Sequence, residues 1–214
     1  MEYELNEVKF DSVTRNNKTK TMETKKKTIG DQMHGKSREY IPNSIFRMMT
    51  LTMKIMDVFA QFSNKHFKTL GLKKNQIVVD YGCGPARYIK NASQTVGKNG
   101  KVYAVDIHPM AIEHVEKIIS KYGLENVESV LAEGYSCSLP DKTSDVVYAL
   151  DMFHMIENHS ELLRELARIV KPDGKVIIED GHQSRKETLE KINKTGIFSI
   201  VRQNKYHVVC SPKN

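Results

Sequence analysis

The sequence lacks paired cysteines, a long apolar run and a secretory leader, and each absence excludes a class of protein. Cys83, Cys137 and Cys210 stand alone without a C-x-x-C pair, which argues against a disulfide framework or a zinc knuckle. The most apolar window, Ile45–Phe62, is interrupted by three charged residues, so we expect no membrane span. The first 30 residues contain no continuous apolar stretch that would indicate a signal peptide. These absences together predict a cytoplasmic protein.

The first 40 residues are rich in lysine, threonine and asparagine and show no apolar periodicity. Between Ser12 and Gly30, six basic residues accompany the single acid Glu23, within a chain of net charge +7. Such a segment is either an arm that binds nucleic acid or a solvated tail. No aromatic residue lies between the charges to stack on bases, so we interpret residues 1–40 as a flexible basic leader.

From residue 72 onward, short β-branched runs alternate with helical patterns. The predicted strands are Gln76–Tyr81, Lys101–Asp106, Val127–Leu131, Asp145–Leu150, Lys175–Asp180, Phe198–Arg202 and Tyr206–Cys210. The predicted helices are Pro85–Val96, Pro109–Tyr122, Ser160–Val170 and Arg185–Lys194. This alternation predicts an α/β, doubly wound, Rossmann-like sheet of seven strands with helices on both faces. The last two strands are too close in sequence to be parallel neighbours, so they predict a C-terminal hairpin with one antiparallel strand.

The most distinctive stretch follows the first predicted strand and reads Asp80-Tyr-Gly-Cys-Gly-Pro-Ala86. Gly82 and Gly84 allow a ligand to approach the backbone closely, at the carboxyl end of a strand where α/β sheets bind ligands. The dinucleotide fingerprint G-x-G-x-x-G fails at Arg87, and the chain has no G-K-[ST] phosphate loop. The stretch fits D-x-G-x-G-x-G with Ala86 in place of the last glycine. We expect Ala86 to have an ordinary helical φ, because Pro85 is placed to begin a helix.

A second acidic residue sharpens the choice of ligand. Asp106 ends the next strand, 24 residues after Gly82, where a carboxylate can accept hydrogen bonds from both hydroxyls of a ribose. Ile107 beside it offers an apolar surface to a purine. The alternative is that Asp106 only caps the helix that begins at Pro109.

With these residues the chain resembles the class I S-adenosylmethionine-dependent methyltransferases, in particular the ubiquinone/menaquinone-methyltransferase-like group. The resemblance covers about residues 72–211. The segments that carry it are Val78–Tyr88, Val102–Asp106, Leu139–Pro140 with Ser144–Val147, and Leu162–Gly174.

The resemblance implies S-adenosyl-L-methionine as cofactor and S-adenosyl-L-homocysteine as product. The implied cofactor-binding residues are Asp80, Gly82, Gly84, Asp106, Ile107, Glu133, Tyr135 and Ser136. The family commonly places an acid after the third strand to accept the adenine amino group, and this chain has Tyr135 there. Either Glu133 substitutes for that acid, or backbone groups near Tyr135 and Ser136 contact the adenine.

The segment after the fourth strand, "ALDMFHMIENH", is where the resemblance places the acceptor. Asp151 is expected at the boundary between cofactor and acceptor. His154 is a candidate general base because a histidine titrates near neutral pH, although a histidine here also orients the loop in such folds. His182, after the fifth strand, is a second candidate base. We expect no metal ion, because the histidines show no ligand spacing such as H-x-x-x-H.

A region before the common core, residues 41–71, is predicted to form an N-terminal helical lid. It carries Met48, Met49 and Met53 with Phe46, and methionines adapt well to irregular or soft ligands. The alternative is a helix that simply packs on the sheet. The S-adenosylmethionine-binding domain is then residues 72–214.

The sequence therefore predicts a methyltransferase of the EC 2.1.1 type that acts on a small molecule, as a monomer or homodimer. No N/D-P-P-Y stretch and no Pro-Cys dipeptide are present, which disfavours methylation of base amines, glutamine amides or cytosine C5. Two alternatives stay open. The basic leader would suit an RNA or protein methyltransferase, and Ala86 with the altered 133–136 stretch would suit a non-catalytic regulatory protein that binds the cofactor.

Overall fold

The computed structural model describes residues 41–60 and 66–213, with only the backbone described for residues 56–60. The predicted basic leader, residues 1–40, therefore lies outside the described residues, and so does part of the predicted lid.

Seven strands form one sheet in the order β3-β2-β1-β4-β5-β7-β6. They are β1 (Ile77–Tyr81), β2 (Lys101–Asp106), β3 (Val127–Leu131), β4 (Ser144–Ala149), β5 (Val170–Glu179), β6 (Phe198–Gln203) and β7 (His207–Pro212). Strands β1 to β5 pair in parallel, whereas β7 is antiparallel to both β5 and β6. The predicted doubly wound sheet with one reversed strand is confirmed.

Five α-helices lie wholly within the described residues. They are α1 (Asn43–Ala60), α2 (Ile89–Val96), α3 (Pro109–Tyr122), α4 (His159–Ile169) and α5 (Arg185–Thr195). Alternate residues of the strands point to opposite faces of the sheet, so Val78 and Val79 of β1 enter different apolar clusters. The cluster around Val78 packs against α1, α2 and α3, and the cluster around Val79 packs against α4 and α5.

Most predicted bounds lie within two residues of the observed ones, and two starts differ by more. Helix α2 begins at Ile89 rather than Pro85, because residues 84–88 form a turn. Ala86 lies in this turn with φ of 62°, so the expectation of an ordinary helical φ at Ala86 is wrong. Strand β5 begins at Val170 rather than Lys175. Its pairing with β4 is irregular at this start, because the register shifts between Ser144 and Val146 of β4.

Helix α1 has two apolar sides. Phe46 is buried at 2% exposure, while Met48, Leu51 and Ile55 on another side are at least half exposed. Across the described part of the chain, no helix has the length and apolar content that crossing a membrane requires.

Candidate cofactor and acceptor site

A cleft lies at the carboxyl ends of β1, β2 and β4. It contains about 1180 Å³ of empty space, part of which is open to solvent. Asp80, Asp106 and Asp151 all line it, one from the end of each strand or the residues just after it. The position agrees with the rule that α/β sheets bind ligands outside the carboxyl ends of their strands.

Glycine is favoured at positions 82 and 84 of the turn for two different structural reasons. Gly82 has φ of 78°, and a Cβ there would lie only 2.9 Å from Cγ of Met152. Gly84 has φ of 50°, and a Cβ there would have no atom within 4 Å. Glycine is therefore favoured at position 84 by the left-handed backbone and not by lack of space. The backbone amide of Gly82 donates to the carbonyl of Val105 at 2.8 Å, which fixes the turn between β1 and β2.

Asp80 is buried at 2% exposure beside the Tyr148 hydroxyl, and its Oδ2 has no hydrogen bond of ordinary geometry among the described residues. Burial raises the pKa of Asp80 to about 8. A buried carboxyl group with an unused acceptor atom, on the wall of a cleft, is a binding group for a cationic donor such as an ammonium.

Asp106 is held by the backbone on both sides. The amide of Gly84 donates to Oδ2 and the amide of His108 donates to Oδ1, each at 2.8 Å. Burial raises the pKa of Asp106, and these two hydrogen bonds oppose the rise. Each oxygen keeps acceptor capacity for a further donor, so the fixed carboxylate can receive two adjacent hydroxyls. Ile107 is half-buried and lines the cleft next to it.

Residues 133–136 form a tight turn after β3. Glu133 and Ser136 exchange two backbone hydrogen bonds, at 2.9 and 3.1 Å. The side chains of Glu133 and Ser136 are exposed and do not line the cleft, and their role in adenine binding stays a prediction. Gly134 and Tyr135 do line it, and the Tyr135 carbonyl accepts a hydrogen bond from the Tyr81 hydroxyl at 2.6 Å.

His108 is a cleft residue that the sequence analysis missed. Its Nδ1 accepts from the backbone amide of Met110, so the ring proton lies on Nε2 and donates to the Ile41 carbonyl at 2.9 Å. The Phe46 ring stacks on it with centroids 4.4 Å apart. The sequence showed only that His108 directly precedes Pro109, a position where the N-cap of a helix is expected. Through Phe46, Met49 and Met53, α1 forms one wall of the cleft.

The three candidate catalytic residues lie together at the other end of the cleft. Asp151 Oδ1 lies 4.0 Å from His154 Nδ1, and the rings of His154 and His182 meet edge to face with centroids 4.9 Å apart. Only Asp151 lines the cleft itself, with φ of 51°. Gly181 lies directly against His154, because a Cβ at this position would overlap Nδ1.

Glu179, His66 and Arg87 surround this end and were not predicted from the sequence as site residues. Glu179 ends β5, and its Oε1 lies 3.5 Å from His66 Nε2. Burial, followed by the charge of Asp151, raises the pKa of Glu179 to about 7. Burial lowers the pKa of His66. Arg87 lines the cleft, and its charge acts on both Asp151 and Glu179.

The cysteines carry no nucleophilic chemistry at this site. Cys83 and Cys210 are buried, and Cys137 is half-buried. Burial raises the pKa of Cys137 to about 11 and that of Cys210 to about 12, and it also raises the pKa of Cys83. Thiols with raised pKa values are poor nucleophiles at neutral pH.

Comparisons with known proteins agree with this geometry. Residues 79–178 match the family described as Methyltransferase domain. The chain is similar to demethylmenaquinone methyltransferases: it is 27% identical to that of Geobacillus sp. (strain WCH70) over 110 residues, which are 51% of this chain and 47% of the relative. The identity to that of Bacillus cytotoxicus is 31% over 128 residues, which are 59% of this chain and 47% of the relative.

Among solved structures, the chain is similar to a SAM dependent methyltransferase from Aquifex aeolicus. The two are 25% identical with a TM-score of 0.66, covering 80% of this chain and 98% of the other. The chain spans about half the length of the curated relatives it matches. The strand order, the paired acids of the cleft and these matches lead to one assignment: residues 79–178 carry a methyltransferase domain, and the chain is similar in fold and sequence to S-adenosylmethionine-dependent methyltransferases.

Proposed function

We propose that this chain transfers a methyl group from S-adenosylmethionine to a small-molecule acceptor. The observation that carries the proposal is one continuous cleft that joins Asp80 and Asp106 to Asp151 beneath the side chains of α1. A largely apolar cleft with a few charged side chains in its wall is typical of small-molecule sites.

The cofactor's chemical groups fit the residues of the cleft. The unused Oδ2 of buried Asp80 suits the ammonium of the methionine part, and the fixed carboxylate of Asp106 suits the ribose hydroxyls. Ile107 and Tyr135 line the cleft beyond Asp106, where they can flank the adenine. When bound, the cofactor supplies an electrophilic methyl group on a sulfonium.

The wall of the cleft is largely apolar. Met53, Met155 and Ile156 contribute to it, while Asp151 and Arg87 provide charge. Thioether and branched aliphatic side chains favour an apolar acceptor body, and the charged pair orients a polar substituent. The similarity of the chain to demethylmenaquinone methyltransferases supports a small-molecule acceptor with an apolar body and a polar substituent.

Three titratable groups are available to help deprotonate the acceptor. Asp151 faces the cleft, with His154 and His182 behind it. Burial raises the pKa of Asp151, which makes its carboxylate a stronger base than an exposed aspartate.

The proposal is tested in two steps with the full chain. Calorimetry measures binding of S-adenosylmethionine and S-adenosylhomocysteine, and we expect one site for each. Transfer of labelled methyl is then followed across a panel of phenols, hydroquinones, amines and thiols, by mass spectrometry of the products. We expect methylated product from at least one small molecule.

Either of two results would contradict the proposal. One is the absence of cofactor binding at millimolar ligand. The other is transfer only to RNA or protein, with loss of that transfer when residues 1–40 are deleted, since this would assign the acceptor to a polyanion or polypeptide.

A further inference from the structure

We propose that Asp151, His154 and His182 form a binding site for one divalent transition-metal ion at the acceptor end of the cleft. Each residue offers one ligand atom, and these atoms all lie within 4.8 Å of one another. Among residues 41–60 and 66–213, this is the one group of three histidine, cysteine or acidic side chains that meets this distance. Two imidazoles and a carboxylate are a common set of three protein ligands for a metal with open positions.

The distances require little movement to hold an ion. Metal–ligand bonds of about 2.0–2.1 Å with tetrahedral angles place neighbouring donor atoms about 3.4 Å apart. Asp151 Oδ1 and His154 Nδ1 are 4.0 Å apart, so this pair needs to close by roughly 0.6 Å. His182 is exposed, and rotation of its side chain can close the remaining separations.

The fold creates this group from two separate loops. Asp151 and His154 follow β4 through a short 3-10 helix, Phe153–Met155, while His182 follows β5. Gly181 permits the approach of the loops, because any larger residue would overlap the His154 ring. The sequence predicted no metal because ligand spacing along the chain is absent, whereas these three residues meet only through the neighbouring strands β4 and β5.

The surroundings of the group favour a cation of borderline softness. The carboxyl group of Glu179 lies next to Asp151, so a dication between Asp151 and the histidines would reduce the repulsion between the two acidic side chains. Arg87 opposes this with one positive charge. Two nitrogen ligands disfavour Mg²⁺ and Ca²⁺, which prefer oxygen, and suit Zn²⁺, Co²⁺ or Fe²⁺.

The role of such an ion rests on the proposed function. A phenolic or enolic hydroxyl on its open position would lose its proton to solvent at lower pH than the free acceptor does. The oxygen lone pair would form the new O–C bond, while the C–S bond breaks and its electron pair remains on sulfur as a neutral thioether. The acceptor class that this implies is a molecule with an ionisable hydroxyl.

The test uses full-length, tag-free protein stripped with a chelator and then titrated with Zn²⁺ or Co²⁺. We expect one ion per chain by calorimetry and elemental analysis, and a visible Co²⁺ spectrum of the kind given by mixed nitrogen and oxygen ligands. Asp151→Asn and His182→Gln each lower the affinity at least tenfold, and His182→Gln acts at an exposed position that folding tolerates. Mg²⁺ serves as the negative control ion, and His114→Gln serves as the control histidine outside the group.

Equal metal affinity in the wild-type, Asp151→Asn and His182→Gln proteins would overturn the site, and so would the absence of stoichiometric binding. Loss of binding in His114→Gln as well would place the ion elsewhere and overturn it too. Metal binding is measured without cofactor or acceptor, so its failure is distinguishable from failure of methyl transfer.

Discussion

Ionisation of Asp80 should make the affinity for the cofactor depend strongly on pH. Its pKa of about 8 leaves the buried carboxyl mostly protonated at pH 7, whereas a bound ammonium favours the ionised form. Binding must therefore release a proton, and we expect cofactor affinity to rise by up to about tenfold per pH unit between pH 6 and pH 7. Calorimetry at several pH values, and at pH 7 in buffers of different ionisation enthalpy, measures both effects.

Asp80→Asn is the control for this prediction. It should bind the cofactor at least tenfold more weakly and without proton release. A wild-type affinity that does not change with pH, or an identical pH profile in Asp80→Asn, would contradict it. Without cofactor, the same raised pKa means that the free protein loses stability as pH rises from 3.8 to about 8, because the folded state retains the proton longer.

Ala86 is strained at a position where the family pattern has glycine. A left-handed φ of 62° costs an alanine about 1–2 kcal/mol, and removal of its buried methyl costs about 0.8 kcal/mol. We expect Ala86→Gly to leave the unfolding free energy unchanged or raise it by about 1 kcal/mol. Ala92→Gly is the matched control, since Ala92 is buried within α2 and should lose about 1–2 kcal/mol. Similar losses of unfolding free energy in Ala86→Gly and Ala92→Gly, measured by urea denaturation, would contradict backbone strain at Ala86.

At the scale of elements, α1 should bind and stabilise the adenosine end of the cleft through one aromatic contact. Phe46 is buried and stacks on His108, next to Asp106. We expect Phe46→Ala to lower the unfolding free energy by about 3 kcal/mol and the cofactor affinity by at least tenfold. Met48→Ala on the same helix, where the side chain is 65% exposed, should change stability by less than about 0.5 kcal/mol. Chemical denaturation and calorimetry of both variants decide the matter, and equal affinities would count against a role of α1 in binding.

Helix α4 positions the loop that leads into β4 through a single arginine. Arg168 donates to both oxygens of buried Glu165 at 2.7 Å, and to the carbonyls of Leu139 at 2.7 Å and Cys137 at 3.0 Å. Because Arg168→Ala leaves the buried Glu165 carboxylate without a positive partner and with only the hydrogen bond from the Cys137 amide, we expect a loss of about 3 kcal/mol in unfolding free energy. Arg164→Ala, at an exposed position of the same helix, should lose less than about 0.5 kcal/mol. A similar urea midpoint for the two variants would contradict this role of Arg168.

The limits of sequence reasoning are visible at this scale. Strands β2 and β3 and helix α3 have the predicted bounds, because each is a β-branched run or an apolar helical pattern that ends at a clear signal. The start of α2 was misplaced because Pro85 is compatible with both a helix start and a turn. Nothing in the local pattern showed that Ala86 would adopt a left-handed φ.

At the scale of the whole molecule, the cofactor should stabilise the parts that surround the cleft rather than the whole sheet. Ligand at one hundred times its Kd adds about 2.7 kcal/mol to the folded state. We expect hydrogen exchange with S-adenosylhomocysteine to slow in residues 43–55 and 82–88, while β6 and β7 stay unchanged. Protection spread evenly over all strands would contradict a localised effect.

Contacts between residues far apart along the chain could not be predicted from the sequence. The acids that end β1 and β2 were predictable as a pair, since parallel neighbouring strands end at one edge of a sheet. The contacts of His108 with Ile41 and of Glu179 with His66 join segments more than 60 residues apart, and no local periodicity encodes them. The same is true of Asp151 with His182, which meet only because β4 and β5 are neighbours.

The placement of α1 has a kinetic consequence. Ile41 and Phe46 contact His108 at the cofactor end, and Met53 of the same helix lines the cleft that reaches Asp151. Because one helix contributes to the wall at both sites, cofactor binding against α1 would also fix the wall against which the acceptor rests. We therefore expect a compulsory order of addition, in which the cofactor binds first and the demethylated cofactor is released last. The demethylated cofactor would then inhibit turnover by competing with S-adenosylmethionine.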